Sequence, residues 1–529
     1  RLTSSQSWCL LNGAYASPII DWQQATKVWD VRKAGLGLLM GKITRKKAVA
    51  VIEDAAVPVD ALYPYYQDVR QMMAELHVNA VYYGHVSVGL IHVRPEIDLS
   101  TNEGRLLFQT IAERHALIVK KYRGAISGEH GDGRIRAPFI KGQVGDIVYN
   151  CLVELKQAFD PQNLLNPGVI IGEESITQNL RAGKIVHAKI DTGFDWQNDL
   201  SLLDAVEKCN GAAVCRKSTG RGVMCPSYQA TREENYSTRG RSNLLRSALT
   251  AVNPIEALAS DELQDALELC LGCKACKSEC PANVDMARLK SEVLYQTQKQ
   301  FSLIGTMIKH YGPILKWAQR GASFVNFIQD QRVFKKVLGV DPRRTLPKIT
   351  QRKDNLERWW KSQINRPHTK QKVWVVCDLY SQYMENGVGR SVLQSILKMG
   401  LDVAPIFIES SPRALISQGL LKQAKQALLV IEQQLSNVQQ DDLIIGVEPS
   451  EVLVWRDEVT ALIGRESRTY FDFSRIWLYE ELMLHLHKQQ LLPKFKSLNK
   501  KIKLHVHCHQ KSLAQANDVE TLFKLIPEL

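Results

Sequence analysis

The sequence predicts the α+β class, divided among several folding regions, and three observations carry that expectation. Up to about residue 175, short apolar runs of strand length are mixed with helical periodicities. Between Cys209 and Cys280 lie seven of the chain's 11 cysteines, set among helical stretches. From about residue 371, strands and helices alternate in the manner of a mainly parallel sheet. A chain of 529 residues exceeds a single core, and three domains is a fair expectation. The expected boundaries are 1–175 (mixed), 176–300 (all-α and cysteine-centred), 301–370 (a basic helical connector) and 371–529 (an incomplete α/β domain). A hydrophobic content of 45% and a charged content of 23% suit a globular protein. The net charge of +13 comes with no nucleic-acid motif, so it points to an anionic substrate or a membrane surface. The clustered cysteines are not spaced as disulfide pairs, which argues for a reducing, cytoplasmic compartment.

In the first region, Ala48–Ile52, Ala80–Tyr83 and Leu90–Val93 read as strands, and Pro64–Leu76, Gly104–Lys121 and Gly145–Phe159 as helices. Two motifs stand out within it. The run from Tyr83 to Pro95 carries His85 and His92, seven residues apart. On one straight strand they face opposite sides, so they converge only if Ser87–Gly89 turns. The second motif is Ser127-Gly128-Glu129-His130-Gly131-Asp132-Gly133-Arg134, a glycine-rich turn that sets a carboxylate beside an imidazole. His85, His92 and Glu129 form a candidate two-His, one-carboxylate metal site with open positions. His130 is a candidate general base, because a neutral imidazole titrates near working pH. The bland alternative is a set of hydrogen-bonded histidines at turns.

The second region is built on Cys270-Leu-Gly-Cys273-Lys-Ala-Cys276-Lys-Ser-Glu-Cys280-Pro281. The spacing C-x2-C-x2-C-x3-C-P is that of ferredoxin runs, in which the last cysteine reaches across to another cluster. Zinc is the rival, since C-x2-C pairs also suit a tetrahedral ion. Upstream stand Cys209, Cys215 and the pair Cys225-Pro226, with Ala212 where the template expects cysteine. Cross-ligation assigns Cys225, Cys270, Cys273 and Cys276 to one [4Fe–4S] cluster. It leaves Cys209, Cys215 and Cys280 as a candidate second site, one thiolate short: a [3Fe–4S] cluster, a cubane with another ligand, or none. Arg239 and Arg241 read either as solvated helix surface or as charge partners of a cluster.

Residues 309–372 carry many lysines and arginines interleaved with Tyr311, Trp317, Phe324, Phe327, Phe334, Trp359 and Trp360. Such helices suit peripheral contact with an anionic bilayer; the preferred alternative packs the aromatics on the chain's own domains. In the last region Val373–Cys377, Leu401–Ile408, Asp442–Gly446 and Lys503–His507 read as strands, with helices at Gly387–Met399 and Ser411–Gln434. His505, His507, Cys508 and His509 are a weaker metal candidate.

The blocks Tyr83–Pro95 and Ser127–Phe139 and the run Asp160–Gly168 resemble the C-terminal half of the FAD-linked oxidases, a vanillyl-alcohol-oxidase-like group that includes D-lactate, glycolate and D-2-hydroxyglutarate dehydrogenases. The segment Cys209–Tyr228, with Ser237–Arg241 after it, resembles the ferredoxin part fused to large bacterial members. Glu448–Ser450 and His505–Gln510 look like the cysteine-rich domain of heterodisulfide-reductase-type subunits, without its Cys-Cys-Gly motifs.

The resemblance implies a divalent metal (zinc, manganese or iron) on His85, His92 and Glu129, with His130 as base. It implies Arg32, in Trp29-Asp-Val-Arg32, and Lys47 as substrate-carboxylate contacts, and Asn166 as an FAD contact. The function it implies is oxidation of a D-2-hydroxy acid, D-2-hydroxyglutarate being favoured. Electrons would pass from FAD through a [4Fe–4S] cluster to a quinone or electron carrier. D-lactate or glycolate oxidation and a non-catalytic electron-transfer subunit are the alternatives. The chain starts at Arg1 and stops in mid-pattern at Leu529, so a piece of a longer protein is expected, with the main flavin cradle outside it.

Overall fold

A computed structural model of the chain describes residues 21–22, 24–29, 35, 42–181, 190–218, 222–297, 303–363, 372–464 and 471–529. It divides into two compact units, Arg1–Ala188 and Lys189–Leu529. The class is α+β, as the alternation of periods predicts.

The first unit is organised on β4 (Leu90–Ile97). One edge of β4 pairs antiparallel with β3 (Ala80–His85), in the register Tyr83↔His92 and His85↔Leu90. Its other edge takes two short strands, β1 (Lys47–Ala48) at Ile97 and β2 (Ala55–Ala56) at Ile91. The strand expected over Ala48–Ile52 therefore shrinks to its first residues. Beyond Ala48 the chain leaves the ladder and turns through Val51–Asp54, burying Val51 and Ile52 and bringing Glu53 and Asp54 under the sheet. The helix Asn102–Lys121 starts where the Thr101 hydroxyl accepts the Gly104 N–H (3.0 Å). It buries Phe108, Ile111, Ala112, His115 and Val119, the 3.6-residue stripe that covers the sheet together with Tyr65, Val69 and Met72 of the helix Leu62–Glu75.

The second unit contains the cysteine region and a parallel sheet. Strands β5 (Lys372–Cys377), β6 (Asp402–Phe407), β7 (Leu443–Gly446) and β8 (Ile476–Trp477) stand in the order β6-β5-β7-β8. The strand expected at Lys503–His507 is absent: those residues are extended without a partner and lead into the helix Cys508–Leu513. Two histidines and a flanking run of lysines give that segment no apolar face to bury against the sheet.

That helix instead reaches the cysteine region. His509 Nε2 lies 2.8 Å from the Gly272 carbonyl, and Ser512 donates to the Cys273 carbonyl (3.1 Å). Beside it, fully buried Lys274 is surrounded by Asp285, Asp457 and Glu458 at 2.9, 2.9 and 3.0 Å. The connector helices Tyr311–Ala318 and Ala322–Asp330 pack Leu315, Ala318 and Ala322 on Leu379 and Tyr383. Their other face leaves Trp317 (68%), Phe324 and Phe327 exposed. The alternative in which the aromatics pack inward thus holds for Trp359 and Trp360, and reverses for these three. Among the described residues, no helix is long and apolar enough to cross a membrane.

Candidate functional sites

In the first unit the β3–β4 connection decides the geometry. A short helical turn, Val86–Val88, ends at Gly89 with φ +73°, a left-handed conformation that folds β3 back onto β4. A Cβ on Gly89 would stand 1.9 Å from the Val57 carbonyl oxygen. The turn is the one the sequence required, and it brings both imidazoles to one place. The Glu129 Oε1 lies 3.1 Å from His92 Nε2 and 3.5 Å from His85 Nε2. The three ligand atoms all fall within 4.8 Å of one another. Metal–ligand bonds of about 2.1 Å set neighbouring donors roughly 3.0–3.4 Å apart, so this set fits a small divalent ion.

His92 Nδ1 donates to the Glu53 carbonyl (3.1 Å), which fixes the tautomer and leaves Nε2 as a lone-pair donor. Its burial lowers its pKa, keeping the ring neutral and able to bind metal. His85, Glu129 and His130 are about half exposed, so the open side of the site faces outward.

The Ser127–His130 turn is held from below by Asp54. This fully buried carboxylate accepts the N–H groups of His130 (2.7 Å) and Glu129 (3.1 Å) and the Ser127 hydroxyl (3.0 Å), and it pairs with Arg136. Burial alone would raise the Asp54 pKa; these donors outweigh it and hold the carboxylate below its usual range. His130 turns Nδ1 toward Glu53 and Asp54, each 3.8 Å away, and Nε2 toward Glu129 (3.4 Å). Glu53 is itself paired with Arg94, whose Nε donates to the Tyr83 hydroxyl (2.8 Å). A second grouping, Glu53, His92 and His130, also lies within 4.8 Å, but Arg94 already occupies the Glu53 carboxylate. Sequence reasoning missed Glu53 and Asp54; the signal was two adjacent acids directly after an apolar run.

Of the other expected residues, Lys47 does not join this group. Lys47 sits beside Ile97, five residues along β4 from His92, or roughly 17 Å, and its Nζ donates to the Lys42 carbonyl (2.8 Å). Arg32 lies outside the described residues. Asn166 stands in an exposed turn with φ +49°.

In the second unit Cys225, Cys270, Cys273 and Cys276 line one cavity. Among the described residues, no three sulfurs approach within 4.8 Å of one another. A zinc tetrahedron has sulfur–sulfur edges of about 3.8 Å, closer than any three of these sulfurs approach one another. Burial pushes the Cys273 thiol up to about 11 and Cys276 well above its usual value. They are therefore protonated and inert alone, and iron binding would displace the protons. Met286 donates its N–H to Cys276 Sγ (3.3 Å) at the start of the helix Met286–Thr297. Arg241 donates to Cys225 Sγ (3.5 Å). Leu271, between two of the cysteines, is 74% exposed. The residues present fit an iron–sulfur cluster.

The Cys209–Cys215 loop repeats this backbone. Gly211 and Ala213 have φ +78° and +60°, against +63° and +62° at Gly272 and Lys274. Arg239 donates its N–H to Cys215 Sγ (3.4 Å) near the start of the helix Thr238–Leu249, as Met286 does for Cys276. Ala212 takes the place of Cys273. Next to Cys280, Glu279 accepts the N–H groups of Val223 (2.6 Å) and Met224 (3.2 Å).

Comparison with known proteins follows the same division. Residues 14–170 match the family described as FAD linked oxidases, C-terminal domain, and residues 205–284 match the 4Fe-4S dicluster domain. The chain is 26% identical over 516 residues to the D-2-hydroxyglutarate dehydrogenase of Escherichia coli (strain K12), covering 86% of this chain and 50% of that protein. The D-2-hydroxyglutarate dehydrogenase of Haemophilus influenzae is 25% identical over 535 residues, with 91% and 51% covered. The glycolate oxidase subunit GlcD of Bacillus subtilis is 27% identical over 154 residues, with 29% and 32% covered. The chain spans about half the length of the D-2-hydroxyglutarate dehydrogenases it matches.

Proposed function

For a chain that joins an FAD-linked oxidase C-terminal domain to a 4Fe-4S dicluster domain, we propose the substrate-oxidising and electron-exporting part of a D-2-hydroxy-acid dehydrogenase, with D-2-hydroxyglutarate as substrate. The observation that carries this reading is the convergence of His85, His92 and Glu129 beside His130. When bound, a divalent ion, FAD and the cluster supply a Lewis acid for the substrate hydroxyl, a hydride acceptor and a one-electron relay.

The chain's own residues do the rest. With its Nδ1–H toward Glu53 and Asp54, His130 offers the Nε2 lone pair to the hydroxyl proton, and the two carboxylates stabilise the imidazolium that results. Glu53 O fixes the His92 ring, and Asp54 fixes the backbone of Glu129 and His130. Arg32 and Lys47 are assigned to the substrate carboxylates by resemblance, and Asn166 to FAD on the same ground.

Cys225, Cys270, Cys273 and Cys276 hold the [4Fe–4S] cluster in this reading. The repeated backbone at Cys209–Cys215 supports a second, three-thiolate site with Cys280. The exposed aromatic face, rimmed by Lys316, Arg320, Arg332 and Lys336, supports peripheral contact with an anionic membrane on the cytoplasmic side, where a quinone acceptor is reached.

The test is anaerobic stopped-flow absorbance on the FAD-loaded holoprotein. D-2-Hydroxyglutarate is expected to bleach the flavin faster than D-lactate or glycolate, and chelation of the divalent ion to stop bleaching. His130→Ala is expected to slow it about 10²- to 10⁴-fold. A holoprotein that none of these acids reduces would leave the electron-transfer-subunit reading in place.

A further inference from the structure

Two arginines approach the cysteines from the helix Thr238–Leu249, and their surroundings separate them. The Arg239 guanidinium is partly exposed and forked onto Glu234, with Nε and Nη2 donating at 2.8 and 3.0 Å. Its charge is neutralised before it reaches a sulfur. Arg241 is 0% exposed. Its Nε donates to the Ala266 carbonyl (2.6 Å), its Nη2 to the Ser227 hydroxyl (3.0 Å) and its Nη1 to Cys225 Sγ (3.5 Å). Ser227 is held in turn by the Tyr236 carbonyl (2.7 Å). All three partners are uncharged groups or a cysteine sulfur, and among the described residues no carboxylate pairs with this guanidinium.

An arginine remains charged in a protein, and burying that charge without a counter-charge is strongly unfavourable. Lys274, equally buried, solves the problem with three carboxylates. Lys290 bonds the Cys270 carbonyl (2.8 Å), facing backbone rather than sulfur. The counter-charge that suits Arg241 is the anionic cluster on the thiolate it touches. We propose that Arg241 sets the reduction potential of that cluster, holding it high enough to accept electrons from the flavin. The proposal rests on the cluster assignment made above.

The physics is direct. Reduction adds one electron to the cluster, so the reduced state is the more negative, and a fixed positive charge a few ångströms away in a low-dielectric interior favours it. Hydrogen bonds to the ligating sulfurs act in the same sense. The guanidinium neither gains nor loses a proton in the step, so its contribution does not vary with pH.

The experiment is a redox titration of the holoprotein followed by electron paramagnetic resonance, with iron and sulfide content measured in parallel. Arg241→Gln is expected to reduce the equilibrium constant for cluster reduction at least tenfold, a fall of about 59 mV for one electron, by the same amount at pH 6.5 and pH 8.5. Arg239→Gln is expected to stay near the wild-type midpoint. An iron-replete Arg241→Gln protein with the wild-type midpoint overturns the proposal. If that variant does not assemble its cluster, Arg241→His decides: its ring carries a charge only when protonated, so a lower midpoint than the wild type's is expected at pH 8.5, and a midpoint equal to the wild type's at both pH values overturns the proposal. A wild-type protein with no [4Fe–4S] signal at all overturns the cluster assignment instead, so the two failures are distinct.

Discussion

His115 shows how much chemistry a single buried side chain adds without touching the site. It lies in the core of the first unit, its Nε2 2.7 Å from the Tyr65 hydroxyl, and burial lowers its pKa to about 3. An unfolded chain protonates this ring below about pH 6.5, while the folded one keeps it neutral. The stability it contributes is therefore complete above pH 6.5 and is lost as pH falls from there toward 3, by up to about 1.4 kcal/mol per pH unit. His115→Gln keeps an acceptor for Tyr65 and removes the titration. Its denaturation midpoint is expected to fall less than the wild type's between pH 6.5 and 4.5. Equal slopes in urea melts would remove His115 as the cause. At this scale the sequence was readable where chemistry is carried by motif, at His85, His92, Glu129 and His130. It was silent on Asp54, whose role depends on a turn in three dimensions that no local pattern announces.

Among the elements, the β3–β4 hairpin has the strictest requirement. Gly89 combines a positive φ with a backbone oxygen 1.9 Å from where a Cβ would sit. Gly89→Ala is expected to destabilise the first unit by about 1–3 kcal/mol and to weaken zinc or manganese binding. Urea denaturation and calorimetric metal titration measure the two losses; full metal affinity in the variant would detach the hairpin from the site. Long amphipathic helices were legible because their buried positions recur every three or four residues, as at Phe108, Ile111, Ala112, His115 and Val119. The short strands were not. β1 and β2 owe their pairing to the free edge of β4 rather than to alternation of their own. Lys503–His507 has strand-like residues but pairs with neither edge strand of the sheet, β6 or β8.

For the molecule as a whole, the informative surface is the connector. Its inner face is small and aliphatic and packs on the α/β domain, which leaves Trp317, Phe324 and Phe327 outward among basic side chains. The holoprotein is expected to co-sediment with vesicles containing phosphatidylglycerol, less so at high salt and weakly with neutral vesicles. Replacing Trp317 and Phe324 by Asp is expected to lower that binding more than tenfold, since each buried aromatic contributes about 2 kcal/mol. Equal binding to neutral and anionic vesicles would contradict a charge-guided contact. The basic aromatic composition was visible in the sequence; which face pointed outward was not, because both faces carry apolar residues.

The exposure of Leu271 has a further consequence. Cys270 and Cys273, which would hold the cluster, flank this exposed side chain, and a cluster bound there would need no long internal wire to reach a partner at the surface. A redox partner with a shallow apolar dimple could seat that knob, discharge the protein on contact and leave. Throughput would then depend on how often the two surfaces meet.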